Sequence, residues 1–441
     1  MQLKMIYKQL KKGLVICILF SCAFSSIVFS QNTVLLVDSA RSIALQNNNT
    51  IKAATYNVNV ATSNMLEAKG GHLPSLDLNA GFLYLQDPIS FTGNEIAGAL
   101  NDIYSVGLSL NQNIFSGNRV KNNVLIKEEL ERLAMAQKDL TISEIIYRTD
   151  LYYWKSVAMS EMMIVSNLFD SVVNRFYTDI NDRVTDGLTP SNDLLQGKVR
   201  VNESALNLMQ TKNAFEISKM ELNNSMGRNP DEFVEVPDSI LFYSQNSMMY
   251  SDTIQIDSVA LDNRAEIDIS QGQLNTSMLN EKITKADFYP TIGLSMSGRY
   301  GVPGESPDFN TPNFNFMGSV YLNYPIFQGN MRRNRVDASV YNTMMSGEML
   351  EQQKKDVLLQ VNKAAYSFQE SIQKVELTQN SLSQAKQNLD AISTKYSEGL
   401  SPLSEVLDAQ SFWLNAYSAY IQAKLENKVN LSSFQKALGL Y

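Results

Sequence analysis

The strongest constraint on how this chain folds is that it is written twice. Ile114-Phe115-Ser116-Gly117-Asn118 returns as Ile326-Phe327-Gln328-Gly329-Asn330, a spacing of 212 residues. Asp186-Gly187-Leu188-Thr189-Pro190 returns as Glu398-Gly399-Leu400-Ser401-Pro402, and Met226-Gly227 as Leu438-Gly439, both at the same 212. Three matches in one register mean a duplicated structural unit, not the two or three unrelated domains that 441 residues would otherwise allow. Upstream, Leu73-Pro74-Ser75-Leu76 answers Tyr289-Pro290-Thr291-Ile292 at 216. The change of register places an indel between these points, and indels belong in exposed loops. The Gly, Pro and Asn clusters at 87–102 and 301–313 are the expected loops. The stretch 228–256, with Pro230 and Pro237, has no counterpart and reads as an irregular linker, an equatorial segment between a first repeat at 31–227 and a second at 257–441.

Residues 1–30 stand apart. Lys4, Lys8, Lys11 and Lys12 precede an apolar run from Leu14 to Phe29, and Gln31 restarts a polar sequence. That is the layout of a secretory signal peptide, with Val28 and Ser30 before the cut. A membrane anchor is the alternative, but the run falls short of the ~20 residues needed to span a bilayer. Leu19-Phe20-Ser21-Cys22 is a second alternative, an imperfect lipobox in which Cys22 would carry lipid. Both cysteines, Cys17 and Cys22, lie in this leader, so a mature chain has no disulfide or thiolate site. Removing the four leader lysines from a net charge of −8 leaves −12, which argues against nucleic-acid binding. Past the leader no apolar run approaches 18 residues, so a transmembrane helix is not expected and any membrane crossing would fall to strands.

Four segments alternate strictly: 75–85, 103–112, 291–300 and 314–324. In the first, Leu76, Leu78, Ala80, Phe82 and Tyr84 alternate with Ser75, Asp77, Asn79 and Gly81. Period two is the strand signal, and about ten residues is the length of a tilted outer-membrane strand. A soluble sheet with one face on a core is the competing reading. The polar face, however, is Gly, Ser and Asn with little charge, and Tyr84, Tyr104, Tyr300, Phe314 and Tyr324 stand near strand ends, as in an interfacial girdle. Four strands cannot close a membrane barrel, and an open edge cannot face lipid. Spanning strands therefore require several chains to share one barrel.

The rest reads as helix, in long hairpins at 118–227 and 330–440. Leu194, Val201, Leu208, Phe215 and Leu222 recur every seven residues, the mark of coiled-coil packing. After the second turn, Val406-Trp413-Tyr420, Leu407-Leu414-Ile421 and Ala409-Ala416-Ala423 form three parallel stripes, which imply neighbours on more than one side. Gly187 and Gly399 end one helix, and Pro190 and Pro402 suit the first turn of the next.

With the motifs Leu73-Pro74-Ser75-Leu76, Ile326-Phe327-Gln328-Gly329-Asn330 and, above all, Tyr396-Ser397-Glu398-Gly399-Leu400-Ser401-Pro402-Leu403-Ser404-Glu405-Val406-Leu407-Asp408-Ala409-Gln410, the chain resembles the TolC-like outer membrane efflux protein family across residues 34–440. The resemblance implies a mainly α fold with a small membrane β part: a homotrimer whose four strands per chain form a shared 12-stranded outer-membrane barrel above a periplasmic α-barrel. It implies a passive exit duct that takes small molecules from an inner-membrane pump, of resistance-nodulation-division or ABC type, through a periplasmic adaptor, with no cofactor. A duct for type I protein secretion is the alternative, and a periplasmic coiled-coil scaffold without a pore is a further one. The tips Gly187, Leu188, Thr189 and Pro190, with Gly399, Leu400, Ser401 and Pro402, would contact the adaptor, where otherwise they are tight turns. Asp193, Glu405 and Asp408 would ring a narrowed entrance, where otherwise they are acids favoured by helix N-termini. Relatives hold the closed state with an Arg near the second tip, and 399–402 has none, which leaves the closing contacts open.

Other singletons read blandly. His72, the one histidine, makes neither a zinc site nor a triad. Trp154 and Trp413 are expected in packing, and Glu128-Glu129 on a solvated helix face. No P-loop, dinucleotide fingerprint or nucleophile motif occurs.

Overall fold

The computed structural model describes residues 34–86, 102–241, 253–302 and 311–441. The leader with Cys22 lies outside the described residues, as do most of the two expected loops and 242–252 of the linker. Each half runs short helices, strand, strand, long helix, long helix. In the first these are α1 (Val37–Asn47), α2 (Asn49–Gly70), β1 (Ser75–Tyr84), β2 (Asp102–Phe115), α3 (Arg119–Thr185) and α4 (Ser191–Ser225). In the second they are α5 (Thr253–Asn263), α6 (Ala265–Lys285), β3 (Thr291–Val302), β4 (Asn313–Asn323), α7 (Met331–Ser397) and α8 (Leu403–Ala437). A single 3₁₀ turn at Ala286–Phe288 follows α6. The helix α5 begins inside the stretch read as linker. Helices α3 and α7 each hold 67 residues, which at 1.5 Å per residue is a rod of about 100 Å.

The duplication is visible in the caps. Helix α3 ends with Leu188 N–H donating to Arg183 O and Gly187 N–H to Val184 O; α7 ends with Leu400 donating to Lys395 O and Gly399 to Tyr396 O. Both are Schellman caps, and both need a left-handed residue, which Gly187 (φ 71°) and Gly399 (φ 79°) supply without a Cβ clash. Pro190 and Pro402 stand one residue earlier than expected, at the N-caps of α4 and α8. Their extended backbone (ψ 144° and 157°) turns the chain, and Ser191 and Leu403 open the helices.

The four strands form one antiparallel sheet in the order β1-β2-β3-β4. Pairing Leu78↔Leu108, Leu108↔Gly298 and Gly298↔Phe316 puts every even-numbered residue on one face. That face is largely apolar, and on its two outer strands it is uncovered among the described residues: Leu76, Leu78, Phe82, Phe316, Val320 and Leu322 are 64–70% exposed, while Val302 at the end of β3 is buried. Strand β2 runs three residues further than expected, to Phe115, past an irregularity between Asn113 and Phe115.

The long helices make a curved wall in the order α4-α3-α8-α7, with α4 and α7 as its edges. The C-terminal end of each hairpin abuts the junction between the two short helices of its own half. A Cβ on Gly227 would meet the backbone of Asn47 and Asn48, and one on Gly439 the backbone of Asn263. The largest core cluster gathers Ala40 of α1, Tyr153, Val157 and Val165 of α3, Leu222 of α4 and Ile421 of α8 around Val234, Val236 and Ile240 of the linker. Trp154 and Trp413 pack against it, Trp413 stacked on Phe169 at 6.1 Å.

One expectation, the solvated face of Glu128-Glu129, needs correction, and two others are sharpened. The middle of α3 contains a stretch long and apolar enough by composition to cross a bilayer, yet half of it is buried against the chain's own helices. Its apolarity serves the wall, which touches α3 on several sides. Glu129 is buried at 6% exposure, its carboxylate held by Arg132 and Asn275, while Glu128 is paired with Lys69. Tight burial of α4 against α3 falls on Gly197, Ser204, Thr211, Ser218 and Ser225, three positions after each member of the apolar stripe. Small side chains there bring the helices close, and their hydroxyls are satisfied locally: Ser204 donates to Asp170 at 2.7 Å and Ser218 to Phe215 O at 2.7 Å.

Candidate functional site

Two regions of the chain carry its functional chemistry, the uncovered sheet and the paired hairpin tips. The sheet sets the environment. An apolar face of this extent, open to its surroundings, is stable only against lipid, and the other face is mostly Ser, Asn, Gly and Thr, with Asp77, Arg299, Met317 and Tyr321 among them. Both outer strands leave backbone donors and acceptors unpaired among the described residues, and the helical wall is open on its α4 and α7 sides. Those sides carry exposed apolar side chains: Leu195, Val199 and Leu206 on α4, Leu359 and Tyr366 on α7.

The two hairpin tips lie side by side. Ile180 of α3, Tyr396 at the end of α7, and Leu403 and Val406 of α8 form a closed apolar cluster, with Phe176, Val184, Leu194, Ile392 and Leu407 around it. Leu188 and Leu400 stand outside it, 73% and 74% exposed, at the extreme ends of the hairpins. One charged side chain bridges the tips. Arg183 donates from Nη2 to Ser397 O at 2.9 Å, and its guanidinium lies over the Tyr396 ring at 5.4 Å. The absence of an arginine in 399–402 is thus made up from the other hairpin.

The expected acids do not form one cluster within a chain. Asp193 is half-buried in the first turn of α4, on the side of Tyr396. Burial first, and then the Asp193 charge, push the Tyr396 phenol above its ordinary range. Its hydroxyl is buried with no hydrogen-bond partner. Glu405 and Asp408 are exposed on the first turns of α8, with Ser401 Oγ donating to the Glu405 carboxylate. No hydrogen bond or ion pair joins any two of the three acids among the described residues. Arg183 was not singled out in the sequence, and Tyr396 entered only as the first residue of the 396–410 motif. Groups of three or more His, Cys, Asp or Glu able to hold a metal are absent among the described residues.

Higher in the wall, two buried charge networks tie the halves together. Asp150 of α3, fully buried, accepts from Arg41 Nε at 2.7 Å and Nη2 at 2.6 Å, from Ser432 Oγ at 2.5 Å and from the Tyr441 hydroxyl at 3.0 Å. Glu161 accepts from Lys424 Nζ at 2.6 Å and from Ile240 N–H at 3.1 Å, fixing the linker between α3 and α8.

A one-faced sheet with open edges, continuous with a helical wall open on both sides, defines one subunit of an outer-membrane β-barrel channel with a long periplasmic extension. The profile of the outer membrane efflux protein family matches residues 40–228 and 258–440, and the chain belongs to that family. The outer membrane protein TolC of Salmonella enteritidis is 21% identical over 461 aligned residues, covering 98% of this chain and 87% of the relative. Among solved structures, the Campylobacter jejuni CmeC outer membrane channel superposes with a TM-score of 0.80 at 16% identity, over 91% of this chain and 85% of that one. The outer membrane protein VceC of Vibrio cholerae superposes with a TM-score of 0.77 at 18% identity, over 91% of this chain and 96% of that one. The family and fold are those of channel proteins.

Proposed function

We propose that three copies of this chain close into a single exit duct for efflux, a 12-stranded barrel in the outer membrane continuous with a 12-helix cylinder in the periplasm. The observation that carries this reading is that sheet and wall are both incomplete at both edges. A head-to-tail contact that repeats by rotation closes such edges into a ring, with β4 of each chain antiparallel to β1 of the next, whereas an isologous two-fold contact pairs like edges, inverts one chain relative to the membrane and leaves the outer edges open. Each chain then contributes a repeat at 31–227 and one at 257–441, joined by the 228–256 segment. The duct receives small molecules from an inner-membrane pump, of resistance-nodulation-division or ABC type, through a periplasmic adaptor.

In this assembly the adaptor docks on the tips, Gly187, Leu188, Thr189 and Pro190 with Gly399, Leu400, Ser401 and Pro402. Support comes from Leu188 and Leu400, whose exposure at a solvent-facing end has no use within the chain. Asp193, Glu405 and Asp408 line the narrowed entrance, where three copies of each favour cations and repel one another as the tips approach. The Arg183 bridge and the apolar cluster hold the second hairpin against the first in the closed state.

The test is oligomeric mass in detergent together with ion conductance in planar bilayers. A three-chain particle that conducts supports the duct. A particle of any size that never conducts refutes it and favours the scaffold. Replacing Asp193, Glu405 and Asp408 together with amides should lower cation selectivity, and unchanged selectivity would remove the gate assignment while leaving the duct standing.

A further inference from the structure

The junction between sheet and helices carries a charge pattern that the exit duct does not explain. All four helix ends that meet the strands are basic, in a chain of net charge −8. Lys69 closes α2, Lys282 and Lys285 close α6, Arg119 and Lys121 open α3, and Arg332, Arg333 and Arg335 open α7. The last two groups stand at helix N-termini, where the backbone dipole disfavours cations, and neither first turn contains an acid to offset them. Lys121 and Arg333 are also repeat equivalents, 212 residues apart, so the feature occurs in both halves. Part of the balancing charge comes from the chain itself: Lys69 pairs with Glu128 and Lys285 with Glu281.

Local pairing accounts for only part of the collar. Asp287 takes both Arg119 and Arg335, the latter at 2.6 Å. Arg332 lies over the Phe288 ring at 5.2 Å and donates to Ile326 O at 3.3 Å. Lys121 and Arg333 are exposed and form no ion pair among the described residues. Beside the collar, a groove of about 530 Å³ between α2, α3 and α6 is lined by Asn64, Glu67, Arg119, Asn123 and Lys127 over an apolar floor of Val120 and Ile283. At the same level Tyr289 is 56% exposed, Ile326 85% and Phe327 86%. Exposed aromatic and aliphatic side chains interleaved with arginines, one helical turn beyond a lipid-facing sheet, are the composition of a membrane–water interface.

We propose that this collar binds the phosphate headgroups of anionic phospholipids in the periplasmic leaflet of the outer membrane, and so fixes the height of the duct in the bilayer. Lys121 stands six residues past the end of β2 and Arg333 ten past the end of β4, and an anionic surface attracts lysine and arginine over about a Debye length at physiological salt. Choline-headgroup lipids, which are zwitterionic, provide the contrast.

The experiment is native mass spectrometry of the full-length protein in neutral detergent, with phosphatidylglycerol or phosphatidylcholine added at matched concentrations. The wild type should retain phosphatidylglycerol in preference. The Lys121→Ala/Arg333→Ala variant should lose roughly 25-fold in that preference, since each lysine or arginine near an anionic surface contributes on the order of a fivefold factor. A Lys121→Arg/Arg333→Lys variant should keep it. Equal retention of the two lipids by the wild type, or unchanged preference in the alanine variant, overturns the proposal. So does full displacement by millimolar inorganic phosphate, which would mark a free-anion site. Loss of the oligomer in the alanine variant, with lipid preference kept in the chains that remain, would assign this face to contacts between copies instead. Conductance is read in parallel, so that failure of lipid binding is distinguished from failure of the duct.

Discussion

Removing Arg183 tests whether the two hairpin tips are held together by the bridge that the structure shows. In Arg183→Ala the hydrogen bond to Ser397 O (2.9 Å) and the stacking on Tyr396 (5.4 Å) are both lost. The tip is exposed, so each is worth little: about 0.5–1 kcal/mol for the hydrogen bond and about 0.5–1 kcal/mol for the cation–π contact. One chain thus loses roughly 1–2 kcal/mol of tip closure, and three tips that open together lose roughly 3–6 kcal/mol, a shift of about 10²–10⁴ in the closed-to-open ratio. Single-channel recording in planar bilayers reads this directly as longer or more frequent openings, with the barrel conductance unchanged. Tyr396→Phe is the control, because it keeps the ring under Arg183 and removes only a buried hydroxyl that has no partner. It should conduct as the wild type and be no less stable. If Arg183→Ala leaves open probability unchanged, the bridge does not hold the tips and closure resides in the apolar cluster around Ile180 and Val406.

Three further outcomes follow from the same coordinates. Asp150→Ala removes the buried partner of the Arg41 guanidinium, leaving it only the exposed Asp38 carboxylate and the Tyr441 hydroxyl, and should cost about 3–5 kcal/mol in thermal or denaturant unfolding; the Arg41→Ala/Asp150→Ala pair should cost less than the two singles summed. Leu78→Arg, in the middle of β1 on the uncovered apolar face, should destabilise membrane insertion by about 2–4 kcal/mol, seen as material extractable by urea from outer-membrane fractions; normal insertion would refute the lipid-facing assignment. Tyr153, which donates to Leu35 O at 3.0 Å, is pushed up to about 12 by burial and by the Asp38 charge. Its folded state holds the proton more tightly than the unfolded chain, so its contribution is complete below pH ~10 and is lost as pH rises toward 12. Melting temperature should fall across that window in the wild type and more shallowly in Tyr153→Phe.

Much of the fold could be read in one dimension because its signals are periodic or punctuated. The strands at 75–85, 103–112, 291–300 and 314–324 follow from period-two alternation, and their bounds in the structure differ by at most three residues. The turns at 186–190 and 398–402 follow from Gly and Pro at fixed offsets, and the open edges from there being four strands among the described residues. Where the local pattern had two solutions the reading was right about packing but incomplete about the seam. The heptad of apolar residues from Leu194 to Leu222 was visible, but the deeper seam is the small-residue heptad three positions on, where Gly197 lies under Ile180 and Tyr177. Small polar residues give no hydrophobic signal, although their seven-residue spacing could have been found.

The sequence by itself determined that this chain is a doubled unit with lipid-facing strands, long helical hairpins and edges that other copies must fill. Only the tertiary structure decided which side chains meet: Arg183 with Tyr396 and Ser397, Asp150 with Arg41 and Ser432, Glu161 with Lys424 across 263 residues. The physical reason is range. Backbone periodicity is set by neighbours two to seven residues away and is written into the order of residues. The partner of a charge in a packed wall depends on which helices lie side by side and at what axial height, and these are fixed only when the hairpins dock.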